Sequence, residues 1–220
     1  DSFSLLGGVN FGIETVPLGL TVATVAVFWW RYHVPFAMAL MAAAAFGMLL
    51  SVLGAASGRS VTLSEVFLLS ADGQFAWGTL IFGLALFALA MRFDMSDPHR
   101  MTLRSANGFW LHVIAAPAIV NTVALTLLQS DGGAALSLLV LVLIGVAVVA
   151  VIIDRRSFLI SAVGYTVAII SSASEGDTIA VAILILGVGL VGLGAGWQTV
   201  RAGLMGGVPA RLRHRLPPSR

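Results

Sequence analysis

AALSLLVLVLIGVAVVAVII, running from Ala134 to Ile153, carries no charged side chain over 20 residues and is followed at once by Asp154-Arg155-Arg156. Wound into a helix, a segment of that length rises about 30 Å, the thickness of a bilayer's hydrocarbon core. A helix on the surface of a water-soluble domain would show a polar face at a period of 3.6 residues. None is present here. The stretch reads as a membrane span that stops at a charged turn.

The rest of the chain has the same character. Of its 220 residues 59% are hydrophobic and 10% charged, and the mean hydropathy is +1.01. Soluble domains carry roughly 25% charged residues. Short alternating segments, the mark of a membrane β-barrel, are absent. The fold class is therefore all-α, a polytopic transmembrane helical bundle. Hydropathy broken by charged or Gly/Ser/Asp-rich stretches predicts about seven spans, near 13–30, 34–56, 75–92, 108–128, 134–153, 158–173 and 179–199. The bundle takes residues 1–200, and residues 201–220 form a basic tail. Arg31-Tyr32-His33 and Asp154-Arg155-Arg156-Ser157 are too short to be anything but hairpin turns, and Pro35 stands where a helix start tolerates proline.

Arginine sets the expected orientation. One side collects Arg31, Arg92, Arg100, Arg104, Arg155, Arg156 and the arginines of the tail, eleven of the twelve, and the other has Arg59 alone. By the positive-inside rule the amino end lies outside and the carboxyl end in the cytoplasm. The outer side is acidic, with Asp72, Asp131 and Glu175 among its residues. An outside amino end at Asp1 is expected to follow a removed leader, an upstream span, or insertion of a short tail. Arginine in place of lysine, with abundant Ala and Gly, points to a GC-rich bacterium and so to a cytoplasmic (inner) membrane.

Composition also closes off several functions. The chain has no cysteine, which removes disulfides, thiolate metal sites and iron–sulfur clusters. All twelve basic residues are Arg, so the Schiff base of a retinal protein is excluded despite the span count. No cofactor and no metal site is expected. The pI of about 9.9 does not point to nucleic acid, since the basic residues sit at membrane edges. The expected partners are the bilayer, other membrane subunits or further copies of the chain.

Two loops carry helix-start signals. Thr62-Leu63-Ser64-Glu65 has capping-box spacing and predicts a short helix at the outer interface, acting either as a packed lid or as a binding element. On the arginine-rich side, Asp97 before Pro98 predicts an early start for the fourth span, with Arg100 and Arg104 on an amphipathic turn. Arg100, Arg104, Arg155 and Arg156 are expected to meet anionic lipid headgroups.

Polar groups inside hydrocarbon call for a reason, and the fourth span holds most of them: Asn107, His112 and Asn121 around Pro117. At 100° per residue Asn107 and Asn121 lie within about 40° of each other, with His112 nearly opposite Asn121. Such a helix is expected to have neighbours on all sides, and Pro117 to kink it by removing the bond to the Val113 carbonyl. Two readings stay open: a gate with His112 as ligand or proton relay, or interhelical hydrogen-bond glue. Glu14 is the only acid placed near a span interior, within a turn of the outer edge. His112 alone does not make a haem pair; a single histidine suffices only for a pigment supplied by a larger assembly. No nucleophile elbow or zinc-binding helix motif occurs. In the last span, Gly192 and Gly196 have the small-xxx-small spacing of close helix packing.

With the amino end outside, seven spans divide as 3+1+3, which resembles the parallel-repeat layout of the SWEET sugar transporters. The resemblance is one of topology: Pro17 and Pro35 match the prolines of a first triplet, but no proline occurs in the fifth or sixth span. Ser96-Asp97-Pro98 through Phe109-Trp110-Leu111-His112, with the Arg/Pro-rich tail 209–220, resembles uncharacterised bacterial multi-span membrane proteins and implies an inner-membrane setting without an activity. The expected function is a non-enzymatic accessory or scaffold subunit of a membrane assembly. The alternative is a small-solute transporter or facilitator gated at the fourth span.

Overall fold

A computed structural model describes residues 15–58, 65–69, 73–130, 133–156, 163, 167, 177–214 and 216–218. All regular structure among them is helical: α1 (Thr15–Tyr32), α2 (Ala37–Ser57), α3 (Gln74–Ser96), α4 (Leu103–Gln129), α5 (Gly133–Ile153), α6 (Asp177–Ala195), α7 (Trp197–Gly206) and α8 (Ala210–Arg213). Four of them are long and apolar enough to cross a membrane: α2, α3, α4 and residues Ala134–Ile153 of α5. The expected sixth span, 158–173, falls outside the described residues apart from 163 and 167, as do Glu14 and Thr62-Leu63-Ser64.

Helices α1 and α2 form one antiparallel hairpin and α3 and α4 a second, with α2 packed on both members of the second. Helix α5 lies against the far side of α4 and receives α7. Polarity is arranged inside out relative to a soluble protein. Ile81, Leu141 and Val191 are 63%, 64% and 74% exposed, while Ser51, Thr79, Asn107 and Thr122 are buried. The hydroxyls survive there by local bonding: Thr79 donates to the Phe75 carbonyl and Thr122 to the Ala118 carbonyl, each one turn back.

Small residues let α3 and α4 approach closely. A β-carbon built at Gly83 would lie 2.9 Å from Ile119 and 3.0 Å from Ala118, and one at Gly108 would meet Asp94 and the Ala90 carbonyl. The core between α2, α3 and α4 then closes with Met38, Ala42, Leu86, Ala90, Leu111 and Ala115. At Gly192, expected to pack closely, nothing among the described residues comes within 4 Å of a β-carbon, and Gly196 meets only the Gly192 carbonyl of its own helix. Among the described residues the close approaches between helices are made at other glycines.

The end of the chain and the start of α4 add detail that the sequence reading lacked. The last span does not run unbroken to Thr199, because α6 ends at Ala195 and α7 starts at Trp197. The basic tail packs back on the bundle: α7 turns Trp197, Arg201 and Met205 inward, and Leu216 joins the core cluster of α4 and α5. Helix α4 does not start at Asp97. Arg100 takes a left-handed backbone (φ 55°), which ends any helical turn begun at Pro98. Thr102 is the cap instead, accepting from the Arg104 amide at 3.2 Å.

Asp97 closes the connecting loop. Its carboxylate accepts from the Met101 amide (3.0 Å), the Thr102 amide (2.9 Å) and the Thr102 hydroxyl (2.8 Å). Burial alone would raise this carboxyl, but the three donors outweigh it and hold it below the ordinary carboxylate range. A depressed carboxyl contributes stability above its unfolded value, and that stability is lost as pH falls through the folded one. Asp97→Ala is therefore expected to cost about 1–2 kcal/mol at neutral pH. In thermal unfolding of the detergent-solubilised protein, the gap between wild type and variant should close as the medium is acidified below the carboxylate range.

Candidate functional site

Three ionisable side chains from three helices meet at the arginine-rich end. Asp94 stands in the last turn of α3, His112 in the third turn of α4, and Arg155 just past the end of α5; they are 3%, 0% and 6% exposed. Arg155 donates through Nε to Asp94 Oδ2 at 3.0 Å and through Nη2 to Asp94 Oδ1. Nη2 also reaches the Ser105 carbonyl at 2.8 Å. His112 Nε2 lies 3.0 Å from Asp94 Oδ2. A carboxylate engaged by a guanidinium fork has only acceptor sites left, so His112 Nε2 is the donor.

The local sequence explains why Arg155 points inward. Helix α5 ends in a Schellman motif: the Asp154 amide bonds to the Val151 carbonyl and the Arg155 amide to the Ala150 carbonyl, with Asp154 left-handed at φ 58°. Asp tolerates this conformation better than most residues. The reversal carries Arg155 back over the helix end toward Asp94. On the facing side Gly108 makes room, since a β-carbon there would lie 2.5 Å from Asp94 Oδ1. Phe87 packs edge-on to the His112 ring at 5.4 Å, and the Arg155 guanidinium lies over the Phe109 ring at 5.9 Å.

A second set of bonds ties down α7 and the tail. Asp154 pairs with Arg100 at 2.8 Å and accepts from the Trp197 indole at 2.7 Å. Arg201, fully buried, donates to the Ile152 carbonyl at the end of α5, to the Val151 carbonyl as a second donor beside the Asp154 amide, and to the Pro217 and Pro218 carbonyls of the tail. Among the described residues, Asp94, Asp97 and Asp154 are the acids at this arginine-rich end, and each is engaged.

A cavity of about 700 Å³ opens at the same end, between α1, α3 and α4. Trp29, Phe93 and Leu89 form apolar wall, Arg92 and Arg104 contribute charge, and Asn107 borders it from α4. His112 and Asn121 do not line it. The three polar residues singled out on α4 are thus separated. Asn107 faces the cavity, His112 is sealed in the ion network, and Asn121 is half-buried with no hydrogen bond among the described residues. Pro117 sits within a helix that runs continuously from Leu103 to Gln129.

Of the arginines expected at headgroups, Arg104 is exposed and Arg156 lies over the Trp197 ring. Arg100 is occupied by Asp154 and Arg155 by Asp94. Reading the sequence missed Asp94 as a buried acid, because it was assigned to the loop two residues past the span's expected end. Its spacing offers a signal: Asp94 lies one turn beyond Ala90, on the line of small residues that faces Gly108. Among the described residues no group of His, Asp and Glu is arranged to hold a metal ion.

The class defined by fold and site is a helical bundle of membrane-spanning character, locked at one end by a buried ion network. No family model, curated protein or solved structure matches the chain.

Removing one partner from such a pair strands the other charge. Arg155→Met is expected to destabilise the protein by roughly 3–5 kcal/mol. The double variant Asp94→Leu/Arg155→Met should recover much of that loss, as measured by thermal unfolding in one detergent. Gly108→Ala should cost about 1–3 kcal/mol through overpacking against Asp94.

Proposed function

We propose that this chain is an integral protein of a bacterial cytoplasmic membrane and works as a non-enzymatic scaffold or accessory subunit. In this reading it crosses the bilayer about seven times, amino end outside and arginine-rich end in the cytoplasm. Apolar exterior helices and the arginine asymmetry support the placement.

The observation that carries the scaffold role is the state of the buried ionisable groups. Asp94, His112, Arg155 and Arg201 are joined to one another or to backbone carbonyls, an arrangement that rigidifies an end of the bundle. A coupled pump needs its buried charges to load and unload from water. Helix α6 adds support: Leu184, Val188 and Val191 are exposed, and Gly187 and Gly192 meet no described neighbour. That is a surface suited to close contact with another helix. The transporter alternative draws on the cavity that reaches Asn107, where a solute would enter before passing Asn121.

The chain has no cysteine, so single cysteines report topology cleanly. With a membrane-impermeant maleimide on intact spheroplasts, Asp131→Cys should label and Arg211→Cys should label only after permeabilisation; the reverse pattern overturns the orientation. Purified protein in vesicles should pass no solute faster than empty vesicles, and should co-purify from mild detergent with a stoichiometric membrane partner. A solute flux that Asn121→Leu abolishes would replace the scaffold reading with the transporter.

A further inference from the structure

The cavity between α1, α3 and α4 takes no part in the ion network and has chemistry of its own. Two polar atoms removed from solvent have no hydrogen-bond partner there: Trp29 Nε1, a donor, and Asn107 Oδ1, an acceptor. Asn107 is 5% exposed and borders the cavity, as does Trp29. Buried polar atoms are nearly always satisfied, so a pair left open on one cavity points to an occupant. Arg92 and Arg104 border the same space, are exposed, and have no ion pair among the described residues. The remaining wall is mostly apolar, through Leu89, Phe93 and Leu103, and also carries His33, Ser96 and Thr102; the Ser96 and Thr102 hydroxyls already donate to the Phe93 carbonyl and to Asp97.

These features specify a ligand. Two arginines call for an anion, and phosphate suits guanidinium best. The indole requires an acceptor, which a phosphate or ester oxygen provides. The Asn107 oxygen requires a donor, which an ionised phosphodiester lacks. An ammonium would supply one but is disfavoured beside Arg92 and Arg104, whereas a hydroxyl is not. The apolar part of the wall, Leu89, Phe93 and Leu103, suits acyl chain, and about 700 Å³ falls within the usual range of a small-molecule site. We propose that this cavity holds one anionic phospholipid with a hydroxylated, glycerol-type headgroup. Its phosphate is bound by Arg92 and Arg104, and its headgroup hydroxyl by Asn107. The assignment rests on the membrane-embedded reading but not on the scaffold role, since a transporter with a bound lipid would behave alike.

Native mass spectrometry of the detergent-purified full chain tests it, with phosphatidylglycerol, phosphatidic acid and phosphatidylcholine offered in turn. One phosphatidylglycerol should be retained per chain in preference to both others. Arg92→Gln/Arg104→Gln should weaken that retention by about tenfold to thirtyfold, while Arg211→Gln, in the tail, leaves it unchanged. Both cavity arginines are exposed, so the double variant should keep the wild-type melting temperature in detergent. Asn107→Ala should erase the preference over phosphatidic acid while retaining the preference over phosphatidylcholine. Equal retention of phosphatidylcholine overturns the site, and equal retention of phosphatidic acid by wild type overturns the hydroxyl. Displacement of the lipid by millimolar glycerol 3-phosphate shows a water-soluble ligand and overturns the lipid itself. The maleimide labelling described above separates a failed lipid site from a failed membrane placement.

Discussion

The carboxylate of Asp94 is the point on which the arginine-rich end depends. It lies 3% exposed where α3 ends, and its two oxygens are held by a guanidinium from beyond α5 and an imidazole from α4. One anion thus joins three helices that hydrophobic contact alone would leave free to slide. Apolar side chains facing lipid and apolar side chains facing another helix differ little in energy, so packing in a bilayer lacks the drive that folds soluble proteins. A polar cluster with few alternative partners supplies the register. Its cost is the desolvation of each ion, which mutual pairing and the Ser105 carbonyl offset.

That cluster is possible because of what surrounds it. Gly108 lets α4 approach the carboxylate, and Gly83 lets the same two helices approach again farther along, against Ala118 and Ile119. The Schellman turn at Asp154 reverses Arg155, and the side chain of Asp154 then binds Arg100 and Trp197. A single residue thus ends α5, aims an arginine and receives α7. Arg201 completes the closure by covering the carbonyls of the same helix end.

Hydropathy made the spans legible because burial in lipid demands long apolar runs, and α2, α3, α4 and Ala134–Ile153 lie where those runs fall. The loops were harder. Asp97 before Pro98 has the form of a helix start, yet both its oxygens turn to the Met101 and Thr102 donors, and the left-handed Arg100 leaves the cap to Thr102. Counting arginines places Arg155 on the correct end but says nothing of its direction, which depends on the conformation of Asp154. The glycine pattern was legible only in part. Gly192 and Gly196 pair within one helix, whereas Gly83 and Gly108 gain their meaning from residues far away in sequence. His112 was recognisable as a buried polar group; its partners were not, because one is read as loop and the other as headgroup contact.

The two ends of the bundle are therefore chemically unlike, and this bears on function. At the arginine-rich end the three acids Asp94, Asp97 and Asp154 are each engaged, so the arginines left over define where an anion can enter. Arg92 and Arg104 are such residues, and they stand together at the cavity between α1, α3 and α4. An ion network that fixes three helices beside a cavity that does not reach His112 or Asn121 makes a poor pathway, since nothing joins the polar positions of α4. It makes a good seat: rigid on one side, cationic at its rim and apolar along its wall. In the scaffold reading proposed above, such a bundle would hold its neighbours, lipid included, in a defined place, with the paired ionisable groups inside it supplying the rigidity.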